Sequence, residues 1–175
     1  MWRLIAKTLV KGPFTIAAPP PSGDGLAELA SRVDSAARAR LGRSLVIREV
    51  DAGSCNGCEL EIHALNNPVY DLERFGIRFA ASPRHADVLM VTGPVTKNMA
   101  EALKRTYDAT PNPKWVVAIG DCAFDGGLFQ GGYAVVGGVK EVVPVDLHIR
   151  GCPPTPTQML TGLLALLETV ERPQP

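Results

Sequence analysis

Leu45-Val46-Ile47-Arg48-Glu49-Val50-Asp51-Ala52-Gly53-Ser54-Cys55-Asn56-Gly57-Cys58 is the stretch on which the fold turns. Its first six residues are mostly aliphatic and β-branched, and they predict a strand. The next eight are small, polar or cysteine, and they predict a loop. Residues 59–66 then take up a helical pattern. Strand, cysteine-bearing loop and helix together form one unit of an α/β sheet. The texture repeats downstream, with strands expected at 77–80, 87–92, 114–119 and 141–149 and helices at 95–108 and 156–170. The last helix opens on a capping box, with Thr155 as N-cap, Pro156 at the first helical position and Gln158 reaching back. Apolar strand runs alternating with helices predict a mostly parallel sheet covered by helices on both faces.

Upstream, residues 1–43 read as an amino-terminal arm. Trp2, Ile5, Ala6, Leu9 and Val10 fall at helical spacing opposite Arg3, Lys7 and Lys11. That pattern suits a basic amphipathic helix on a membrane surface or partner, and equally an end that packs on its own domain. Residues 12–25, with Pro13, Pro19, Pro20 and Pro21, read as an extended linker. Leu26, Leu29, Ala30, Val33, Ala36, Ala37 and Leu41 then form an apolar stripe ending at Gly42, a helix with a carboxy-terminal cap. The expected organisation is therefore an arm (1–43), an α/β domain (44–170) and a short tail (171–175).

Composition narrows the function. Lysine plus arginine equal aspartate plus glutamate at 18 each, which gives no charge signature for nucleic acid. No run approaches the roughly 20 apolar residues needed to span a bilayer. The amino terminus does not read as a signal peptide, so a reducing compartment is expected. There, four cysteines point to metal or catalysis more than to disulfides.

Each cysteine group follows the carboxy end of an expected strand: Cys55 and Cys58 after 45–50, Cys122 after 114–119, and Cys152 after 141–149. In an open parallel sheet those loops converge on one crevice, so the fold itself can gather distant thiols. Gly53, Gly57, Gly120, Gly126, Gly127 and Gly151 flank them and permit close approach to a bulky group. Pro153 follows Cys152, and Cys-Pro closes a common bacterial cluster-binding run. One Cys-x-x-Cys pair with two single cysteines fits an iron–sulfur cluster better than zinc, whose four-cysteine sites usually show two pairs. Zinc and unligated thiols remain the alternatives. The three histidines offer no obvious base for a catalytic cysteine, and the glycine pairs at 131–132 and 137–138 form no phosphate loop.

Several motifs in order carry a family resemblance. They are Gly53-Ser54-Cys55-Asn56-Gly57-Cys58-Glu59, Arg74-Phe75-Gly76-Ile77, Ser82-Pro83-Arg84-His85-Ala86-Asp87, Thr92-Gly93-Pro94-Val95-Thr96, Gly120-Asp121-Cys122-Ala123 with Gly126-Gly127, and Val143-Pro144-Val145-Asp146 leading to Gly151-Cys152-Pro153-Pro154. Over residues 50–166 the chain resembles the small subunit of energy-converting, membrane-bound [NiFe]-hydrogenases of the formate hydrogenlyase type. These are relatives of the 20-kDa iron–sulfur subunit of NADH:quinone oxidoreductase. The quinone-oxidoreductase branch typically has two adjacent cysteines at the first ligand position, so Cys55-x-x-Cys58 sides with the hydrogenase branch.

The resemblance implies a flavodoxin-like fold and one [4Fe–4S] cluster on Cys55, Cys58, Cys122 and Cys152. It implies an oxidoreductase subunit, not catalytic alone, that relays electrons between a ferredoxin-like iron–sulfur subunit and a hydrogenase-type large subunit. Membrane subunits would complete a complex on the cytoplasmic side of the cell membrane, with this chain peripheral. A quinone-reducing or antiporter-linked complex without nickel is the alternative within the class, and a four-cysteine zinc interaction module the alternative outside it. Gly57, Glu59, Arg84, His85, Gly120, Gly151 and Pro153 are the residues expected to surround the cluster or pass protons. Glu59 and Glu61 have a plainer reading as first-turn acids that favour the helix dipole. Phe124 and Asp125 depart from the smaller or amide residues usual after the third cysteine, which implies a local environment of its own.

Overall fold

The computed structural model describes residues 25–169. The expected basic helix at 1–11, nearly all of the linker and the tail lie outside those residues. The first described element is α1 (Gly25–Leu41), which carries Glu28 in its first turn and Arg38 and Arg40 in its last, both favourable to its dipole. Gly42, at φ 71°, donates its N–H to the Arg38 carbonyl at 2.9 Å and closes the helix as its cap. Ala30, Val33 and Ala37 are fully buried. The helix grouped with the arm on sequence grounds therefore packs into the main core.

Five strands build the sheet: β1 (Val46–Asp51), β2 (Arg78–Phe79), β3 (Val88–Thr92), β5 (Trp115–Ile119) and β7 (Leu147–Ile149). Their order is β2-β1-β3-β5-β7, and every pairing is parallel. Counted within this sheet alone, that is the flavodoxin order 2-1-3-4-5. All five residues of β3 and all five of β5 are buried, as expected for strands covered on both faces.

Alternation along the central strands sorts the core into two layers. Val88, Met90, Trp115, Val117 and Ile119 face a layer that includes α1, α2 (Gly57–Ala64) and α5 (Pro156–Thr169). Leu89, Val91, Val116 and Ala118 face the other, which holds Leu103 of α3 (Lys97–Ala109), Ala123 of α4 (Asp121–Asp125) and Val139. Two carboxylates, one buried and one exposed, tie the strand ends together. Asp87, 2% exposed, accepts from Val46 N at 3.0 Å and from Arg43 at 2.6 Å. Asp146 accepts from Val116 N at 2.7 Å and so docks the chain before β7 onto β5.

The Thr155–Gln158 capping box forms as expected. Thr155 N donates to Gln158 Oε1 at 2.8 Å, and Gln158 N donates to Thr155 Oγ1 at 3.3 Å. Three expectations need correction. The strand placed at 141–149 shrinks to β7, because residues 139–141 form a 3₁₀ turn and Pro144 has no N–H to give a ladder. The helix placed at 95–108 begins at Lys97, because Val95–Thr96 forms β4 and pairs antiparallel with β6 (Val135–Gly137) as a separate two-stranded sheet. Lys114, expected in a strand, instead donates Nζ to the Tyr107 and Thr110 carbonyls at the end of α3, at 2.6 and 3.0 Å.

Candidate metal centre

At the carboxy end of β1, Asp51 Oδ1 accepts from both Gly53 N and Ser54 N at 2.8 Å, which bends the chain off the sheet. Ser54 Oγ then accepts from Asn56 N at 3.1 Å. Asn56 takes a left-handed conformation, φ 71°, and turns the chain into α2. Cys55 therefore stands on the loop and Cys58 in the first turn of the helix. Cys122 sits in the first turn of α4, straight after β5. Cys152 follows β7, and the Cys152–Pro153 peptide is cis.

The four thiols line one cavity of about 150 Å³, with Ser54, Gly57, Gly93, Gly151 and Pro153 between them. Gly120, at φ 87° and ψ 164°, passes so close that a Cβ there would lie 2.7 Å from Cys58 Sγ. A Cβ on Gly127 would lie 2.8 Å from Cys122 Sγ. At these two positions the sulfur needs the space that any side chain would take. All four cysteines are free; Cys55 and Cys152 are exposed, and Cys58 and Cys122 are partly buried. Leu128 and Tyr133, 92% and 93% exposed, stand on the same glycine-rich loop.

Electrostatics show how closely the thiols stand. Burial pushes the Cys58 thiol up to about 12, and the charges of Glu59, Cys122, Cys55 and Cys152 add to the effect. Cys122 is raised by burial and by Cys152, Cys55 and Asp121, against the pull of the Leu128 N–H. Four thiolates here would repel one another, and a cationic core among them offsets that repulsion. The donor set fits a thiolate-held cluster, whose iron–sulfur core supplies one-electron redox chemistry when bound. Among the described residues, no three His, Cys, Asp or Glu side chains converge as a grip on a single ion.

The other expected site residues divide. Gly57, Gly120, Gly151 and Pro153 surround the thiols. Glu59 stands in the first turn of α2 as expected, but it is 5% exposed with neither carboxylate oxygen partnered, so it is not a solvent-facing acid. It borders a polar cleft of about 520 Å³ shared with Arg48, Glu49, Asp51 and His63. Burial raises the Glu49 carboxyl there, and His63 partly offsets that. Arg84 and His85 are exposed in the 3₁₀ turn that leads into the amino end of β3, whereas the cavity lies at the carboxy ends. The structure does not bring these two to the thiols.

Sequence reasoning passed over Asp121 and Arg150. Asp121 Oδ1 accepts from Arg150 Nε at 2.6 Å and from Gly151 N at 3.2 Å. These bonds, Arg150 first, hold the Asp121 carboxyl below its usual range. The available signal was position: each residue stands one or two places before a cysteine.

A flavodoxin-type sheet that gathers four cysteines at the carboxy ends of its strands defines a thiol-centred α/β domain. The family profile described as "NADH ubiquinone oxidoreductase, 20 Kd subunit" matches residues 55–166, and the chain belongs to that family. It is 45% identical over 132 residues to the probable membrane-bound hydrogenase subunit mbhJ of Pyrococcus furiosus, covering 75% of this chain and 79% of that one. It is also 45% identical over 133 residues to formate hydrogenlyase subunit 7 of Escherichia coli, covering 76% of this chain but only 52% of that protein. Among solved structures, a chain of the membrane-bound sulfane sulfur reductase, an archaeal respiratory membrane complex, superposes with a TM-score of 0.64 at 32% identity. That match covers 85% of this chain and 78% of the other. Among the described residues, no helix is long and apolar enough to cross a membrane.

Proposed function

We propose that the chain holds one [4Fe–4S] cluster on Cys55, Cys58, Cys122 and Cys152 and serves as the electron-relay small subunit of a membrane-associated [NiFe]-hydrogenase complex. The observation that carries this reading is the convergence of four free thiols from three separate loops on one glycine-lined cavity. The relatives named above, subunits of formate hydrogenlyase and a membrane-bound hydrogenase, support the choice of complex. Electrons would pass one at a time between an iron–sulfur partner and a large catalytic subunit. This chain's own part is to position the cluster and tune it with N–H contacts and burial. The exposed Cys55–Cys152 side and the exposed Leu128 and Tyr133 leave the centre open to a partner's surface. Glu59, buried and unpartnered beside Cys58, is the proton-path candidate that remains.

Anaerobic purification with iron and sulfide analysis, followed by low-temperature EPR before and after dithionite, tests the assignment. About four irons per chain and a paramagnetic signal that appears on reduction are expected. Colourless protein with about one zinc per chain would instead support the four-cysteine zinc module and sink the electron-relay reading. A large subunit without its nickel ligands would move the chain to a quinone-reducing or antiporter-linked complex and leave the cluster assignment standing.

A further inference from the structure

Asp121 and Arg150 sit between the thiols in a way that an ordinary surface ion pair does not. Beyond the last paired residues of β5 and β7, the ladder continues toward the cysteines. Gly120 N donates to the Ile149 carbonyl at 2.8 Å, and Asp121 N donates to the Gly151 carbonyl at 2.9 Å. Asp121 Oδ1 closes the tie by accepting from Arg150 Nε at 2.6 Å and from Gly151 N at 3.2 Å. The guanidinium also lies over the Phe124 ring, 4.1 Å from its centroid, and Phe124 meets His148 edge-on at 4.8 Å. An arginine side chain 56% exposed would ordinarily sample many rotamers. Here an acid on one side and an aromatic face on the other hold it.

Arg150, Asp121, Cys122 and Cys152 line a single cleft of about 380 Å³. The clamp therefore stands against the two thiols contributed by β5 and β7. Arginine keeps its charge at every relevant pH, so its field on that side of the centre is permanent. Reducing a cluster adds negative charge, which a nearby cation favours and a nearby anion opposes.

Resting on the cluster reading above, we propose that Asp121 and Arg150 form a tuning clamp: it locks the Cys122 and Cys152 loops together and sets the reduction potential through two opposed fixed charges. Arg150 raises the potential and Asp121 lowers it. Both are positioning residues, since they act through the cysteines they flank.

The test is an EPR-monitored redox titration of the intact protein, with iron counted in the same samples, for wild type, Arg150→Gln, Arg150→Lys and Asp121→Asn. Arg150→Gln should lower the midpoint potential, by about tenfold in the reduced-to-oxidised ratio at fixed potential, or about 59 mV for one electron. Asp121→Asn, which keeps the shape of the acceptor, should raise it. Arg150→Lys should fall between wild type and Arg150→Gln, because the charge survives and the stacked, forked geometry does not. Shifts of the same sign in Arg150→Gln and Asp121→Asn, or no shift in either, with iron at about four per chain, would overturn the proposal. Loss of iron from both variants would likewise remove the tuning role and leave only a loop tie. Wild-type protein without iron would refute the cluster reading itself, and that failure is separate because potentials are read only from iron-loaded samples.

Discussion

Replacing Gly120 with alanine should damage the centre from a position that supplies no ligand. The backbone there, φ 87° and ψ 164°, lies in a region essentially reserved for glycine. Holding another residue in it costs about 1–3 kcal/mol. For a chain of this length, each kcal/mol lowers the melting temperature by roughly 2–4 °C, so a fall of about 2–12 °C is expected. The second effect is local. The new methyl carbon would stand 2.7 Å from Cys58 Sγ, so that sulfur must retreat to at least 3.4 Å for ordinary contact. Metal–thiolate distances tolerate only about 0.2 Å, so the displaced sulfur no longer serves. Iron per chain should fall well below that of the wild type, with loss of the reduced EPR signal.

Gly131→Ala is the control. Gly131 also has positive φ, at 76°, but nothing lies within 4 Å of its Cβ position. It should lose on the order of 1–2 kcal/mol and keep its iron. Differential scanning fluorimetry and iron assay on the two proteins decide the matter. Full iron in Gly120→Ala, or equal iron loss in both variants, would refute the steric argument.

Three further outcomes follow from the same structure. Cys152→Ser should leave the sheet folded by circular dichroism and cut iron below the wild-type stoichiometry; unchanged iron would remove Cys152 from the ligand set. Leu163, fully buried in α5, should cost about 2–5 kcal/mol when changed to alanine, measured by urea unfolding, and a loss under about 1 kcal/mol would contradict its core position. The His148 imidazole is lowered by burial, then by Lys140 and Arg150. Its contribution to stability is therefore present above the ordinary histidine value and is lost as pH falls below about 6.5. Between pH 7.5 and 5, wild-type melting should fall more steeply than that of His148→Phe, which keeps an aromatic edge against Phe124; parallel curves would discount the imidazole.

The parallel core was legible because its strands announce themselves chemically. β5 is an unbroken apolar run and β3 is apolar up to its final Thr92, and such runs between helices have few other solutions. The convergence of the cysteines followed from the same rule, since each stands at the end of a strand. Local pattern failed where tertiary pairing overrode it. The apolar run Val142, Val143, Val145, Leu147 resembles a strand, but Pro144 interrupts any ladder through it. Val95 and Thr96 continue the pattern of α3 and could not reveal a partner near residue 135. The five-residue α4 is too short to show a period. Glu59 looks like any first-turn acid until the packing around α2 is known. Arg150 and Asp121 are 29 positions apart, and only the β5–β7 register makes them neighbours.

The distribution of thiols along the sheet also imposes an order in time. During synthesis the pair on the β1 loop emerges first, Cys122 follows a central strand, and the last thiol waits for the edge strand β7, over which α5 then closes. A nascent chain halted before residue 152 has at most three of these thiols, and the strand that delivers the fourth is the last of the sheet in chain order. Completion of the sheet and convergence of the four thiols are thus one event, since Cys152 reaches the cavity only once β7 has paired with β5. Whatever engages all four thiols together therefore meets a finished sheet.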